Sequence, residues 1–196
     1  MRIGIDIDDT ITYSSDTFLE YAKKYNKEKK IDFEINDNTL DVKLSYGWND
    51  KNLKEFLSKY LTTVLENTDP KEDAIEIINR LKRDGNQIYF ITARGYKEID
   101  GDMYEVTKKW LDKHKFKYDK LIINSKVKLE ECIKNKIDVF IDDSYSHCKS
   151  IKEGLNIPVY LFKTRYNKDI DDKSIKKVNN WFEIYECLEK EVLNND

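Results

Sequence analysis

Short apolar runs alternate along the chain with stretches whose apolar residues recur at helical spacing, the pattern of a parallel sheet covered by helices. Residues 2–7 (RIGIDI), 87–92 (QIYFIT), 120–124 (KLIIN), 138–142 (DVFID) and 158–162 (PVYLF) read as strands. Asp69-Pro70 predicts an N-cap and first-turn proline for a helix that presents Ala74, Ile75, Ile77, Ile78 and Leu81 and is closed by Gly85. Met103, Val106, Trp110 and Leu111 mark a second helix, 129–134 a third, 146–153 ahead of Gly154 a fourth, and 180–193 the last. Five strands with these crossovers suffice for an open α/β domain.

One interval is too long for its connection. The first strand ends near Asp8 and the second begins near Gln87, whereas a crossover needs little more than the helix at 70–84. The surplus, residues 13–68, carries its own helical faces: Phe18, Tyr21, Ala22 and Tyr25, then Leu53, Phe56, Leu57, Tyr60, Leu61, Val64 and Leu65, the second face started by Asn49 or Asp50. The expected organisation is an α/β core of residues 1–12 and 69–196 with a helical cap of residues 13–68. Because the cap leaves the sheet after the first strand, it should lie over the C-terminal edge, where open α/β sheets bind ligands, and it is a candidate lid.

Parallel strands collect at that edge whatever follows each apolar run. Here these residues are Asp6, Asp8, Asp9 and Thr10 after the first strand, Thr92, Ala93 and Arg94 after the second, Asn124, Ser125 and Lys126 after the third, and Asp142, Asp143 and Ser144 after the fourth. Aspartate is disfavoured in strands and like charges repel, so Asp6, Asp8 and Asp9 at the end of MRIGIDIDDT call for a positive partner. Carboxylates from two strands with a hydroxyl and a lysine nearby form a hard, oxygen-rich site suited to Mg²⁺ and a phosphate.

The remaining composition narrows the partners. With 35 basic and 38 acidic residues and a net charge of -3, the chain offers no field for a nucleic acid polymer or an anionic membrane, which leaves a small molecule. Cys132, Cys148 and Cys187 are odd in number and lack CxxC spacing, so packing is the expected role. His114 and His147 are expected at the surface or capping a helix. No apolar stretch approaches the roughly 18 residues of a membrane span and the N-terminus reads as a strand, so a cytoplasmic protein is expected. A homodimer is left open.

IDIDDT, FITAR, a lysine at the head of the helix after the third strand, and FIDDS together resemble the four ordered motifs of the haloacid dehalogenase superfamily of phosphohydrolases. PVYLFKTRYN and VNNWFEIY further resemble bacterial nucleotidases related to the 5'(3')-deoxyribonucleotidases. The resemblance spans nearly the whole chain and implies a Rossmann-like core with an inserted helical cap. It implies a Mg²⁺-dependent phosphomonoesterase in which Asp6 is the nucleophile and Asp8 the acid and base, with its backbone carbonyl on the metal. Thr92, with Ala93 and Arg94, would bind the phosphoryl group, a lysine would neutralise it, and Asp6, Asp8 and Asp142 would hold the metal, with Asp143 direct or through water. Lys128 is favoured as that lysine because it heads LEECI, with Lys126 second. Asp9 stands where many relatives have glycine, and a solvated turn is its plain reading.

A nucleoside monophosphate is the leading substrate. Trp48, in the turn-like SYGWND, is a candidate base-stacking residue against an equal expectation that it packs in the cap, and the absence of arginine from 13–68 favours one phosphate over two. The alternatives are the same chemistry on a sugar phosphate or phosphoglycolate, and a phospho-acceptor or binding module without turnover. Against the module stand Asp8, an acid/base that a long-lived phospho-switch does not need, and a cap suited to enclosing a substrate.

Overall fold

The structure is a computed structural model and describes residues 1–36, 39, 41–95 and 102–193. Strands β1 (Arg2–Ile5), β2 (Gln87–Ile91), β3 (Lys120–Ile122), β4 (Val139–Asp142), β5 (Val159–Phe162) and β6 (Lys176–Val178) form one sheet in the order β3-β2-β1-β4-β5-β6, every pair parallel. Ile3 is in register with Ile88 on one side and Val139 on the other. Successive strands run outward from β1 to β3, and the chain then crosses to β4 on the other side of β1. The ends of β1 and β4 therefore flank the point where the winding reverses, which opens a crevice at the C-terminal edge.

Both faces of the sheet are covered, which is why its strands read as nearly continuous apolar runs. On one face Ile3, Ile5, Ile88, Phe90 and Ile141 pack with α4 (Glu72–Arg83), α5 (Met103–Lys113) and α8 (Trp181–Leu193). On the other, Ile91, Phe140 and Leu161 meet Cys132 of α6 (Lys128–Asn135) and Cys148 and Ile151 of α7 (Tyr145–Leu155). All three cysteines are free and buried.

Between β1 and α4 come α1 (Ser14–Lys29), α2 (Val42–Tyr46) and α3 (Asp50–Asn67), with an aromatic cluster of their own that includes Tyr25, Tyr46, Trp48, Phe56 and Tyr60. Helix α3 opens on a capping box between Asn49 and Asn52. Leu61 and Leu65 leave this cluster to meet Met103 of α5, so one end of α3 rests on the sheet-bearing part of the chain. Among the described residues no helix is long and apolar enough to cross a membrane.

Three boundaries differ from the sequence reading, each for a physical reason. Asp69 and Pro70 do not start α4. Tyr13 N donates to Asp69 O at 3.0 Å and Lys71 N to Ile11 O at 2.9 Å, so the segments entering and leaving the insertion pair as an antiparallel bridge. Helix α4 therefore begins at Glu72, with Lys71 as its cap. Gly154 does not end α7, which runs to Leu155 and stops at left-handed Asn156; a Cβ on Gly154 would lie 2.7 Å from Leu129 Cδ1, so glycine serves close packing of α6 on α7. Strand β6 is only three residues at the sheet edge, too short to give a periodicity signal.

Gly4 makes the sheet test its packing. A Cβ there would fall 2.7 Å from Cδ2 of the fully buried Phe140 and 3.1 Å from Ile137. Gly4→Ala is expected to destabilise the fold by about 1–3 kcal/mol through overpacking, read as a lower urea midpoint at unchanged slope.

Candidate active site

The chain continues extended past β1, with Asp6 N donating to Ile141 O at 2.9 Å, so Asp6 lies beside the end of β4. Lys128, the first residue of α6, reaches both: Nζ lies 2.5 Å from Asp6 Oδ1 and 2.7 Å from Asp142 Oδ2. All three side chains are almost wholly buried. Burial raises Asp6 to about 7, against the pull of Lys128 and with Asp142 and Asp8 pushing the same way. Burial also works against Asp142, but Lys128 and the hydrogen bond with His147 outweigh it and bring Asp142 down to about 2. The ammonium resists its own burial through the two carboxylates, which raise it above the ordinary lysine range. Lys126, the second candidate, is exposed and makes none of these contacts.

Asp8 faces the other way. Arg94 Nε donates to Asp8 Oδ2 at 2.9 Å and Nη2 to Oδ1 at 2.6 Å, a fork on both oxygens, and Ser14 Oγ adds a third bond at 2.6 Å. Burial would raise Asp8, yet the guanidinium and these bonds hold it below the usual carboxylate range. Arg94 itself is buried, three residues after the end of β2. Thr92 is buried beside it and accepts from Arg94 N at 3.2 Å, while Ala93 is exposed to the cavity described below. Ser125, whose N–H donates to Thr92 O, has a buried hydroxyl with no hydrogen-bond partner among the described residues.

Asp143 is buried, and its carboxylate contacts Thr10 Oγ1 at 3.3 Å and the hydroxyl of Tyr166. Among the described residues it has no ion pair, and burial followed by Asp142, Asp6 and Asp9 pushes its carboxyl well up. One oxygen from each of Asp6, Asp142 and Asp143 lies within 4.8 Å of the others. Three crowded, desolvated carboxylates, only two of them on the Lys128 ammonium, are a hard donor set that a divalent cation fits. The third carboxylate of this group is Asp143. Asp8, whose backbone carbonyl is the atom expected on the metal, has its side chain on Arg94.

Above Asp8 lies a cavity of about 320 Å³. Its lining includes the polar Asp8, Asp9, Arg94 and Tyr166 with Ser14, Ser15, Thr39 and Ser45, and the apolar or aromatic Ala93, Phe18, Val42, Tyr46, Leu61 and Val64. Trp48 does not line it. It is buried in the aromatic cluster, its ring centroid 4.6 Å from Phe56, and its indole N–H donates to Asn26 Oδ1 at 2.5 Å. The cavity's aromatic wall is made instead by Phe18 and Tyr46, stacked at 5.7 Å. Asp9 is not a solvated turn residue: it holds φ +54°, and its carboxylate accepts from Ser15 N at 2.8 Å, from Ser15 Oγ and from Tyr166 Oη at 2.9 Å.

Arg165, Tyr166 and Asn167 escaped the sequence reading. They follow β5, and the strand-end rule that collected the other residues would have collected them had it been carried to the fifth strand. Arg165 also supplies the cavity with an arginine that the inserted segment lacks. His147 Nδ1 lies 3.2 Å from Asp142 Oδ2, and His114 caps α5 and packs on Trp110 at 4.5 Å.

The raised Asp6 and Asp143 have a sign. A carboxyl raised on folding contributes stability below its unfolded value near 3.8 and loses it as pH rises through the folded value, about 7 for Asp6. A cation that binds the ionised forms offsets that loss. Added Mg²⁺ is therefore expected to raise the melting temperature more at pH 8 than at pH 5, measured against EDTA at each pH; an equal rise at both would contradict the cluster's role.

No protein-family model matches the chain. It is 27% identical over 190 residues to "Putative nucleotidase YqfW" of Bacillus subtilis, covering 96% of this chain and 93% of that one. It is 28% identical over 194 residues to a nucleotidase of Clostridium acetobutylicum, covering 97% and 94%. Among solved structures, a haloacid dehalogenase-like family hydrolase from Streptococcus pneumoniae superposes with a TM-score of 0.69 at 13% identity over 95% of this chain and 97% of that one. The HAD-hydrolase YfnB of Bacillus subtilis, solved bound to magnesium, superposes with a TM-score of 0.62 at 14% identity over 95% and 97%. The resemblance carried by the four motifs is thus borne out: this chain has the fold of the haloacid dehalogenase-like hydrolases and is similar along nearly its whole length to bacterial nucleotidases.

Proposed function

We propose that this chain is a Mg²⁺-dependent phosphomonoesterase of the haloacid dehalogenase type that works through an aspartyl-phosphate on Asp6, with nucleoside monophosphates as its substrate class. The observation that carries the reading is the buried Asp6–Lys128–Asp142 cluster, whose Asp6 stands two residues along the chain from Asp8, which lines the cavity. Similarity to proteins named nucleotidases supports the substrate class.

Asp6, Asp142 and Asp143 would hold the cation, which supplies positive charge for the phosphoryl oxygens and for ionised Asp6. Lys128, bonded to Asp6 and Asp142, would add its own positive charge there. An Asp6 oxygen attacks phosphorus as the ester oxygen leaves, and Asp8 gives that oxygen its proton. Asp8 then takes a proton from water, which attacks the aspartyl-phosphate and returns phosphate and free Asp6. Thr92, Ala93 and Arg94 would bind the phosphoryl group. Arg94 holds Asp8 as a carboxylate in the resting protein, so a dianionic phosphate that draws the guanidinium away also frees Asp8 to carry a proton.

The lining offers both chemistries of a nucleotide: Arg94, Arg165 and Tyr166 suit the phosphate and sugar, and the rings of Phe18 and Tyr46 suit a base.

Phosphate release from a panel of 5' and 3' nucleoside monophosphates, sugar phosphates and p-nitrophenyl phosphate tests the reading. Turnover is expected with Mg²⁺, none with EDTA, and preference for nucleotides. Activity confined to sugar phosphates would keep the site and discard the nucleoside. Asp6→Asn is expected to abolish turnover, and Asp8→Asn to slow it by roughly 10²–10⁴-fold, the usual contribution of a general acid and base. Wild-type release by Asp6→Asn, in a preparation free of other phosphatases, would overturn the mechanism.

A further inference from the structure

The loop after β5 touches the candidate cation site and the first inserted helix at once. Asn167 is buried and its Nδ2 donates at 2.8 Å to the backbone carbonyls of both Asp143 and Phe162, which fixes the loop to the ends of β4 and β5. One residue earlier, the Tyr166 hydroxyl lies between two carboxylates, Asp143 Oδ2 and Asp9 Oδ2. One residue earlier again, Arg165 Nη1 donates to Asp16 at 3.2 Å and Nη2 to the Ser15 carbonyl at 3.5 Å. Asp9 continues the connection, because its other bonds come from the backbone N–H and hydroxyl of Ser15 in the first turn of α1.

Asp9 is costly where it stands. It occupies the left-handed region, which favours glycine. Three donors on its carboxylate offset that cost, and a glycine would lose all three. The side chain thus has a use that a turn alone does not require.

A phenol has one proton to donate, and here two carboxylates compete for it. Whichever carboxylate is neutralised by another partner becomes the weaker acceptor. We propose that Tyr166 is a positioning residue that couples occupancy of the Asp6/Asp142/Asp143 site to the inserted helices: when Asp143 serves a cation, the hydroxyl turns to Asp9, and the Asp9 knot on Ser15 tightens over the cavity. This rests on the reading of Asp143 as a cation ligand. The consequence is that α1 is held most firmly when the site is charged with metal, so the cavity wall carrying Phe18 is set at the moment the site can act.

Hydrogen exchange of the full chain, with and without Mg²⁺, tests this on the peptides covering the first turn of α1, alongside calorimetric titration of Mg²⁺. In the wild type Mg²⁺ is expected to slow exchange there by roughly tenfold. Tyr166→Phe keeps the ring and is expected to bind Mg²⁺ while the slowing falls below about twofold. Asp9→Gly, which suits the left-handed turn, is expected to lose the Mg²⁺-dependent slowing as well and serves if Tyr166→Phe folds poorly. A purely structural role would loosen α1 equally with and without the ion. Equal Mg²⁺-dependent slowing in the wild type and the variants would overturn the coupling, as would Mg²⁺ binding to the wild type with no slowing at α1. Failure of the wild type to bind Mg²⁺ would overturn the cation reading itself, and the coupling with it.

Discussion

The ammonium of Lys128 between Asp6 and Asp142 is the contact on which the site depends. It joins the segments after β1 and β3 to the last residue of β4, with Lys128 122 positions along the chain from Asp6 and 14 from Asp142. Desolvating such a group is expensive and becomes tolerable only with partners in good geometry; leaving one charge unpaired costs about 3–5 kcal/mol. The three strand ends are thereby held in one arrangement. The sheet order makes that arrangement possible, since β1 and β4 are neighbours on either side of the winding reversal.

Two aspartates separated by one residue are driven in opposite directions by this frame. Asp6 is pressed into a buried, negatively charged cluster and raised to about 7, whereas Asp8 turns to the cavity and is lowered by the Arg94 fork. Carboxyls pushed apart in this way are suited to different tasks. In the proposed reaction Asp6 would need added positive charge to ionise as the nucleophile, and Asp8 relief from it to carry a proton. A phosphate dianion that draws Arg94 away would relieve Asp8, whereas the charge that favours ionised Asp6 would come from a cation and from Lys128.

The inserted helices contribute an aromatic core and a wall. Their largest side chains, Trp48 and Phe56 among them, are spent on each other, and what reaches the cavity is the edge of that cluster at Phe18 and Tyr46. Arg94, Arg165 and Tyr166 supply its polar side from the ends of β2 and β5. The cavity's lining is thus drawn from elements far apart in sequence, with the insertion adding Ser14, Ser15, Thr39 and Ser45 to its apolar residues.

The alternation of apolar runs and helical faces was enough to identify five strands, the main helices and the insertion, because burial on both faces of a parallel sheet leaves a strong period in the chain. The strand-end rule likewise brought Asp6, Thr92 and Asp142 to one edge before any contact was known, since parallel direction alone fixes that edge. Tertiary structure decided what spacing cannot encode. It distinguished buried Lys128 from exposed Lys126, turned Asp8 toward Arg94, put Asp143 with the crowded carboxylates and sank Trp48 into the aromatic cluster. It also found work for Asp9 and Tyr166, whose partners are 157 residues apart. The physical reason is the same in each case: period reports which face of an element is buried, but the partner of a polar group is chosen by long-range packing, where burial and charge are settled together.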